Sequence, residues 1–290
     1  MFRSIATTIC LLFVFACLPL GAQNTVTCQY TFINVPGAAG TAAQKLNANG
    51  TVVGVWLDSN SFQTRGFIDQ NGVITTFRAP NSGDTQTLGI NDHGDTVGFF
   101  DDNTGTHGFL LSNSGAIATI NVPGSTSTEA SGINDQSQIV GSFHDSSNTL
   151  HGFLLQNGQF TTVDFPGATA TSAAGINNTG VIVGIYAGSD QQNHGFILNN
   201  GQFTTIDVPG ATDTEALAVN NPGEVVGLFR QGSPAQGFIF KDGTISIVTP
   251  PPNTFSQSVA GVNDRGVISG ALVLNTNGPG SEPGYTATCQ

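Results

Sequence analysis

The chain repeats one 43-residue unit six times, and this repetition constrains the fold more than any other feature. Each copy joins a small apolar segment, an asparagine, a turn and a Val/Ile-rich segment closed by glycine, as in GINDQSQIVG at 132–141. The asparagines are separated by 44, 43, 43, 43 and 43 residues, and they are Asn47, Asn91, Asn134, Asn177, Asn220 and Asn263. The closing glycines repeat the same gaps, and they are Gly54, Gly98, Gly141, Gly184, Gly227 and Gly270. A period of this length predicts one supersecondary unit per copy.

Each copy contains four short strand candidates. In the copy at 169–208 they are TSAAGIN, VIVGIY, GFIL and QFTTID. Asn200-Gly201 separates the last two, and Asn-Gly between apolar runs predicts a hairpin because both residues accept positive φ. Pro-Gly then closes the copy, since proline has no N–H to give a strand ladder.

Four strands at this period are typical of propeller blades, whereas solenoid coils are shorter. We therefore predict an all-β fold over residues 23–290: a six-bladed β-propeller of four-stranded antiparallel blades, with the first strand of each copy innermost. YTFINVP at 30–36 aligns with the fourth strand, and GYTA at 284–287 aligns with the third. The N-terminal strand should thus complete the last blade and remove the exposed sheet edges.

The cysteines support this closure. Cys10 and Cys17 lie in the N-terminal apolar segment, and Cys28 and Cys289 lie near the two ends of the repeat array. In the alignment these last two stand where other copies have the turn between third and fourth strands. We predict a Cys28–Cys289 disulfide in place of the missing turn, in an oxidising compartment.

Residues 1–22 have the pattern of a secretory signal peptide. Arg3 precedes an apolar run at 5–20, and small residues allow cleavage before Gln23. A membrane anchor is an alternative, although the run is short for a span. Lipid attachment at Cys17 is a second alternative. The prediction is a protein that is secreted or periplasmic.

Charge limits the partners. The chain has 7 basic and 19 acidic residues, and loss of residues 1–22 would remove Arg3 and change the net charge from −12 to −13. This charge argues against nucleic acid and anionic membranes as partners. The expected partner is an extracellular glycan or protein, and the mature chain is expected to be a monomer without a membrane span.

A third-strand motif carries a resemblance to a known family. The triplet reads His-Gly-Phe at 107–109, 151–153 and 194–196, and varies as RGF, QGF and PGY at 65–67, 236–238 and 283–285. With the preceding Gly-Ile-Asn-Asp segments, it resembles the extracellular HAF repeats, although glycine replaces the middle alanine of the family's triplet in all six. The resemblance covers residues 29–289 and implies a bacterial secreted or envelope protein with a propeller-like fold.

The loops between second and third strands differ most between copies, at 57–65, 100–107, 143–151, 186–194 and 229–236. Variable loops are where function usually lies on such scaffolds. Acidic residues there are candidate ligand contacts: Asp58, Asp101, Asp102, Asp145 and Asp190. Oxygen-rich loops could hold Ca²⁺, but they lack the alternating acidic pattern of a calcium site, which favours a solvated acidic surface. The sequence predicts no dedicated metal site or cofactor. Glu129 and Glu215 begin inner strands and are further candidates at the channel mouth.

The repeated polar residues have structural alternatives. The six asparagines could ring an axial channel, or each could bond its own turn. His107, His151 and His194 could form a metal or proton site, but equivalent positions on neighbouring blades diverge, which favours a role within each blade.

Motifs for nucleophilic, phosphate or zinc-hydrolase chemistry are absent from the sequence. The leading hypothesis is therefore a non-catalytic binding or interaction scaffold whose variable-loop face contacts carbohydrate, envelope polymer or protein. One alternative is an extracellular glycosidase or lyase with acidic residues at the axial mouth. The other is a structural envelope component.

Overall fold

The computed structural model describes residues 24–275 and 282–290, which form 24 strands. The predicted signal peptide, with its alternatives at residues 1–22, lies outside the described residues. The first strands of the repeats are β2 (Ala38–Leu46), β6 (Thr85–Ile90), β10 (Ser127–Ile133), β14 (Ala170–Ile176), β18 (Asp213–Val219) and β22 (Thr254–Val262). The second strands are β3 (Val52–Asp58), β7 (Thr96–Asp102), β11 (Ile139–His144), β15 (Ile182–Ala187), β19 (Val225–Arg230) and β23 (Val267–Leu274).

The outer strands follow the same order. The third strands are β4 (Thr64–Gln70), β8 (Gly105–Leu111), β12 (Leu150–Gln156), β16 (Asn193–Asn199), β20 (Ala235–Lys241) and β24 (Gly284–Cys289). The fourth strands are β5 (Val73–Phe77), β9 (Ile117–Ile120), β13 (Gln159–Val163), β17 (Gln202–Ile206), β21 (Thr244–Thr249) and β1 (Asn24–Ile33). Antiparallel pairing puts the first-to-second and third-to-fourth turns on one face, which we call the asparagine face. The second-to-third loops and the interrepeat connections lie on the opposite face, the loop face.

The predicted six-bladed propeller of separate four-stranded blades is wrong. Hydrogen bonds join the strands into two eight-stranded and two four-stranded sheets. Strand β1 is ten residues long, so its first part extends past β24 and pairs in parallel with β21, from Asn24↔Ser246 to Thr27↔Thr249. Its second part pairs antiparallel with β24. Strand β8 begins early, after a short turn, and Thr106 bridges in parallel to Ser127 of β10. The repeat period contains no information about such lateral pairings.

The fold is all-β and propeller-like. Each first strand contacts the first strands of both neighbouring repeats, and β22 contacts β2, so the first strands surround an axis. Each first strand also has a register shift two or three residues before its end, as between Ala130 and Gly132. The residue inside such a bulge is left out of the ladder.

The core lies between neighbouring repeats and is built on one recurring contact. The third-strand aromatic is fully buried in every repeat, and these residues are Phe67, Phe109, Phe153, Phe196, Phe238 and Tyr285. Each lies opposite the closing glycine of the second strand, as in Gly184↔Phe196. A Cβ on Gly184 would lie 2.7 Å from the Phe196 ring and 2.1 Å from the carbonyl oxygen of Ser172. The closing glycine is therefore required by the ring and the backbone packed against it.

The predicted disulfide is confirmed. Cys28 and Cys289 face each other in the β1–β24 register and are bonded, across a sequence separation of 261 residues. The bond joins the two ends of the repeat array at the asparagine face.

Candidate functional site

The six asparagines form a closed hydrogen-bonded ring around the axis. Each Oδ1 accepts from its own turn, as Asn177 does from the N–H groups of Thr179 (3.1 Å) and Val181 (3.0 Å). Each Nδ2 donates to the carbonyl of the equivalent asparagine in the next repeat, and the last donation, from Asn263 to Asn47 at 3.1 Å, closes the ring. All six are buried. Each asparagine side chain therefore has both roles considered from the sequence: it bonds its own turn, and it forms part of a ring around the axis.

A second ring lies outside the first. In five of the six repeats, the backbone N–H after the asparagine donates to a side chain of the next repeat, and the five acceptors are Asp92, Asp135, Asn178, Asn221 and Asp264. The sixth position is Ala48, whose methyl side chain cannot accept a hydrogen bond, so the second ring is open at this point. The rings surround a cavity of about 70 Å³ at the centre of the asparagine face. Most carboxylate and amide oxygens at this mouth already accept hydrogen bonds from the turns.

The predicted loop-face acids are held by their own loops. Asp58 accepts from the N–H of Asn60 at 2.9 Å, Asp145 from Ser147 and Thr149 at 2.8 Å each, and Asp190 from Gln192 at 3.1 Å. These backbone bonds are the main reason that the pKa of each of the three carboxyls is lowered.

The remaining loop-face acids behave similarly. Asp102 accepts from the hydroxyl and the N–H of Thr104, which lower its pKa. Asp101 accepts from the Thr106 hydroxyl at 2.6 Å. The five carboxylates are distributed over four repeats as turn-stabilising groups. Among the described residues, no three His, Cys, Asp or Glu side chains come together in a group that could hold a metal ion.

Three histidines link these loops to the ends of the fourth strands. His151 Nδ1 lies 2.8 Å from Asp164, and its Nε2 lies 3.6 Å from Asp145. His194 makes the same pair of contacts with Asp207 (2.9 Å) and Asp190 (3.2 Å). His107 contacts Asn121 at 3.0 Å and Asp102 at 3.3 Å. We call these three arrangements histidine bridges. Each remains within its own repeat.

The bridges raise the pKa of two imidazoles. The hydrogen bond with Asp164 is the main reason that the pKa of His151 is raised. For His194, partial burial is the largest single effect and lowers the pKa. Its hydrogen bonds with Asp207 and Asp190, together with their charges, outweigh burial and give a net increase.

Glu129 and Glu215 occupy equivalent positions in β10 and β18 but have different surroundings. Glu215 forms an ion pair with Arg230 at 2.8 Å. Glu129 is half-buried, and burial together with the negative charge of Asp101 raises its pKa, partly offset by His144. The two carboxylates therefore do not form a symmetric pair.

Two grooves open on the asparagine face, between neighbouring repeats. The first groove, about 400 Å³, lies between repeats one and two. Its polar lining includes Asn49, Gln70, His93 and Asn113 over an apolar floor of Ile68, Ile90 and Leu111. The second groove, about 550 Å³, lies beside the disulfide between repeats five and six, and is lined by Glu224, Lys241, Asp242, Arg265 and Cys289 among others. Both volumes fall in the range of small-molecule sites.

Sequence reasoning missed the second ring, both grooves and Lys45 at the axis. The ring has a sequence signal, because Asp or Asn follows the repeated asparagine in five of six copies. Lys45 also has a sequence signal. It lies two residues before the repeated asparagine, where the other five copies have Gly89, Gly132, Gly175, Ala218 and Gly261. The grooves have none, since each is assembled from turns of two repeats.

No protein-family model matches the chain, and no curated protein matches it. The fold is similar to virginiamycin B lyase from Staphylococcus aureus, with TM-score 0.52 and 12% identity, covering 90% of this chain and 99% of that one. It is similar to TolB from Acinetobacter baumannii, with TM-score 0.58 and 11% identity, covering 87% of this chain and 64% of that one. It is also similar to AofleA from Arthrobotrys oligospora, with TM-score 0.55 and 12% identity, covering 87% of this chain and 84% of that one.

At such identities the likenesses show the fold alone, a β-propeller-like scaffold. The part of the chain that the structure describes contains no helix long and apolar enough to cross a membrane. The disulfide is compatible with an extracellular or periplasmic protein.

Proposed function

We propose that the chain is a secreted, non-catalytic β-propeller-like scaffold of the HAF-repeat type that binds carbohydrate on its asparagine face. The observation that carries this proposal is the first groove. Amide groups of Asn49, Gln70 and Asn113 line it, and each amide offers both donors and an acceptor. Sugar hydroxyls need both kinds of partner.

The shape and floor of the groove agree with this ligand class. Ile68, Ile90 and Leu111 provide an apolar surface on which the C–H face of a sugar ring can pack. The loop-face acids are a weaker candidate site, because their oxygens already accept hydrogen bonds from their own turns.

The test is a glycan array with the mature domain, followed by calorimetric titration of any glycan that binds. His93→Ala and Gln70→Ala should weaken binding by about tenfold or more, since each removes a polar group from the groove. Gln136→Ala is the matched control, because Gln136 is the exposed equivalent of His93 in repeat three, outside the groove. Unchanged affinity in both groove variants would exclude the first groove.

A blank array would refute carbohydrate binding and favour the structural alternative. Mass analysis of each bound glycan after incubation distinguishes binding from the enzymatic alternative. Shortened or unsaturated products would overturn the non-catalytic assignment.

A further inference from the structure

Among the six equivalent residues of the repeats, Lys45 is the one whose side chain crosses the axis. The equivalent residues in the other copies are four glycines and one alanine, and there is no space for larger side chains there. A Cβ on Gly132 would lie 3.2 Å from the Cα of Gly175, and one on Gly261 would lie 2.9 Å from the Cα of Lys45. The axis is therefore almost filled by backbone, and Lys45 extends into what remains.

The amine is held by two backbone carbonyls on the far side of the ring. Lys45 Nζ donates to the carbonyl oxygens of Leu217 at 2.9 Å and Ala174 at 3.2 Å. Both acceptors lie in the bulges of β18 and β14, where they are left out of the register with the second strand. A neutral amine has two hydrogens, so these contacts satisfy both and leave its lone pair without a protein partner.

Lys45 lines a cavity of about 60 Å³ on the axis. Six apolar side chains separate it from the mouth on the asparagine face and line both spaces: Leu46, Ile90, Ile133, Ile176, Val219 and Val262. Among the residues lining this cavity, Lys45 is the one with a titratable side chain. The structure gives its ammonium no carboxylate partner within the described residues, and burial lowers its pKa to about 8.

We propose that Lys45 is a selectively reactive axial amine that captures a small neutral aldehyde as an imine. The Nζ lone pair forms a bond to the carbonyl carbon, and one proton passes from Nζ to the carbonyl oxygen to give a carbinolamine. Loss of water then forms the C=N bond, so one amine and one aldehyde give one imine and one water, with no oxidant or reductant.

The surroundings select the class of ligand. A cavity of about 60 Å³ equals the volume that roughly two molecules occupy in liquid water. This size restricts the ligand to one- or two-carbon aldehydes. Carboxylates of Asp92, Asp135 and Asp264 at the mouth disfavour anions. The ammonium form of Lys45 disfavours cations in the same way, so a neutral electrophile is the best match.

The test uses glycolaldehyde with sodium cyanoborohydride at pH 7 on the folded wild-type protein, with peptide mass mapping of the adducts. Lys241 is an internal control, because it is the other lysine of the chain and is exposed and paired with Glu224 at 2.6 Å. That pairing raises the pKa of Lys241. About one tenth of an amine of pKa 8 is neutral at pH 7, against less than one thousandth for an ordinary lysine. We expect Lys45 to react at least tenfold faster.

Two further measurements distinguish a selective axial amine from a lysine that reacts with any aldehyde. The labelling rate should rise with pH through about 8. The charged groups that line the axial mouth are Asp92, Asp135 and Asp264. Glu129 and Glu215 belong to the surrounding first strands, and Glu215 is paired with Arg230. A bulky aldehyde such as benzaldehyde should not label Lys45 in the folded protein. Lys45→Met, which has a side chain of similar length and no amine, should lose the adduct, and circular dichroism checks that this variant is folded.

Equal rates at Lys45 and Lys241 would overturn the proposal. So would labelling of Lys45 in unfolded protein alone, because the amine would then be purely structural. Labelling by benzaldehyde at the glycolaldehyde rate would refute selection by the axial cavity.

Discussion

At the residue scale, the closing glycines are the most restrictive positions of the repeat. Gly184 lies against the Phe196 ring on one side and the Ser172 carbonyl on the other. Neither neighbour can move away, because the ring is fully buried and the carbonyl belongs to a paired strand. The repeated Val-Gly is thus a packing requirement that recurs because every repeat buries the same aromatic.

We predict that Gly184→Ala lowers the free energy of unfolding by about 1–3 kcal/mol or more, the range for overpacked cores. Chemical denaturation of the purified domain measures this difference. Gly83→Ala is the control, because a Cβ there would meet only the Asp101 carbonyl at 3.7 Å, an ordinary contact. Equal denaturation midpoints for Gly184→Ala and wild type would mean that the second strand shifts to accept the methyl group.

At the element scale, the histidine bridges fasten the second-to-third loops to the fourth strands. In the repeat with His194, Asp190 belongs to the loop and Asp207 follows β17, so the imidazole joins two segments that the strand ladder leaves apart. Tyr186 stacks on the same imidazole, with ring centroids 5.0 Å apart. The variable loops are therefore stabilised individually, each within its repeat.

These bridges predict a pH dependence of stability. The pKa values of His151 and His194 are raised in the folded state, so their contribution is complete below the ordinary histidine value of about 6.5 and is lost as pH rises through the folded values. The lowered pKa values of Asp145 and Asp190 act oppositely: their contribution is present above about 4 and is lost on further acidification.

The measurement is the melting temperature between pH 6 and 9. The melting temperature of the wild type should fall by about 1–3 °C more over this range than that of His151→Gln/His194→Gln. The difference is small because exposed ion pairs contribute little to stability. Glutamine is a natural replacement, because Gln236 occupies this position in repeat five. His93→Gln, which alters a turn histidine outside the bridges, should keep the wild-type profile. Parallel profiles for wild type and the double variant would disprove the assignment.

At the scale of the whole molecule, closure depends on the two chain ends. Strand β1 pairs with β24 on one side and β21 on the other, so it links the last repeat to the one before it. Gln257 donates to the hydroxyls of both Tyr30 (2.8 Å) and Tyr285 (3.2 Å), which joins β1, β22 and β24 in the core. The disulfide adds a covalent bond at the same junction.

We predict that Cys28→Ala/Cys289→Ala loses up to about 5–6 kcal/mol of unfolding free energy, from the chain-entropy estimate for so long a loop. Denaturation with and without reductant measures this loss. Reductant should destabilise the wild type and leave the double variant unchanged. If the oxidised wild type and the variant unfolded at the same denaturant concentration, strand pairing alone would account for closure.

The local elements and the meeting of the two chain ends follow from the amino-acid sequence alone. Strand alternation, Asn-Gly turns and a 43-residue period are local properties, so the strands of each repeat and the Cys28–Cys289 bond could be predicted from them. The joining of strands into sheets is settled in three dimensions, because the pairings β1–β21 and β8–β10 depend on where strand ends come to lie. Tertiary packing also determines which polar groups are free. The acids of the variable loops are used by their own turns, whereas Lys45 reaches carbonyls 129 and 172 residues away. Such contacts depend on which backbone atoms closure brings to the axis, and no local pattern specifies those atoms.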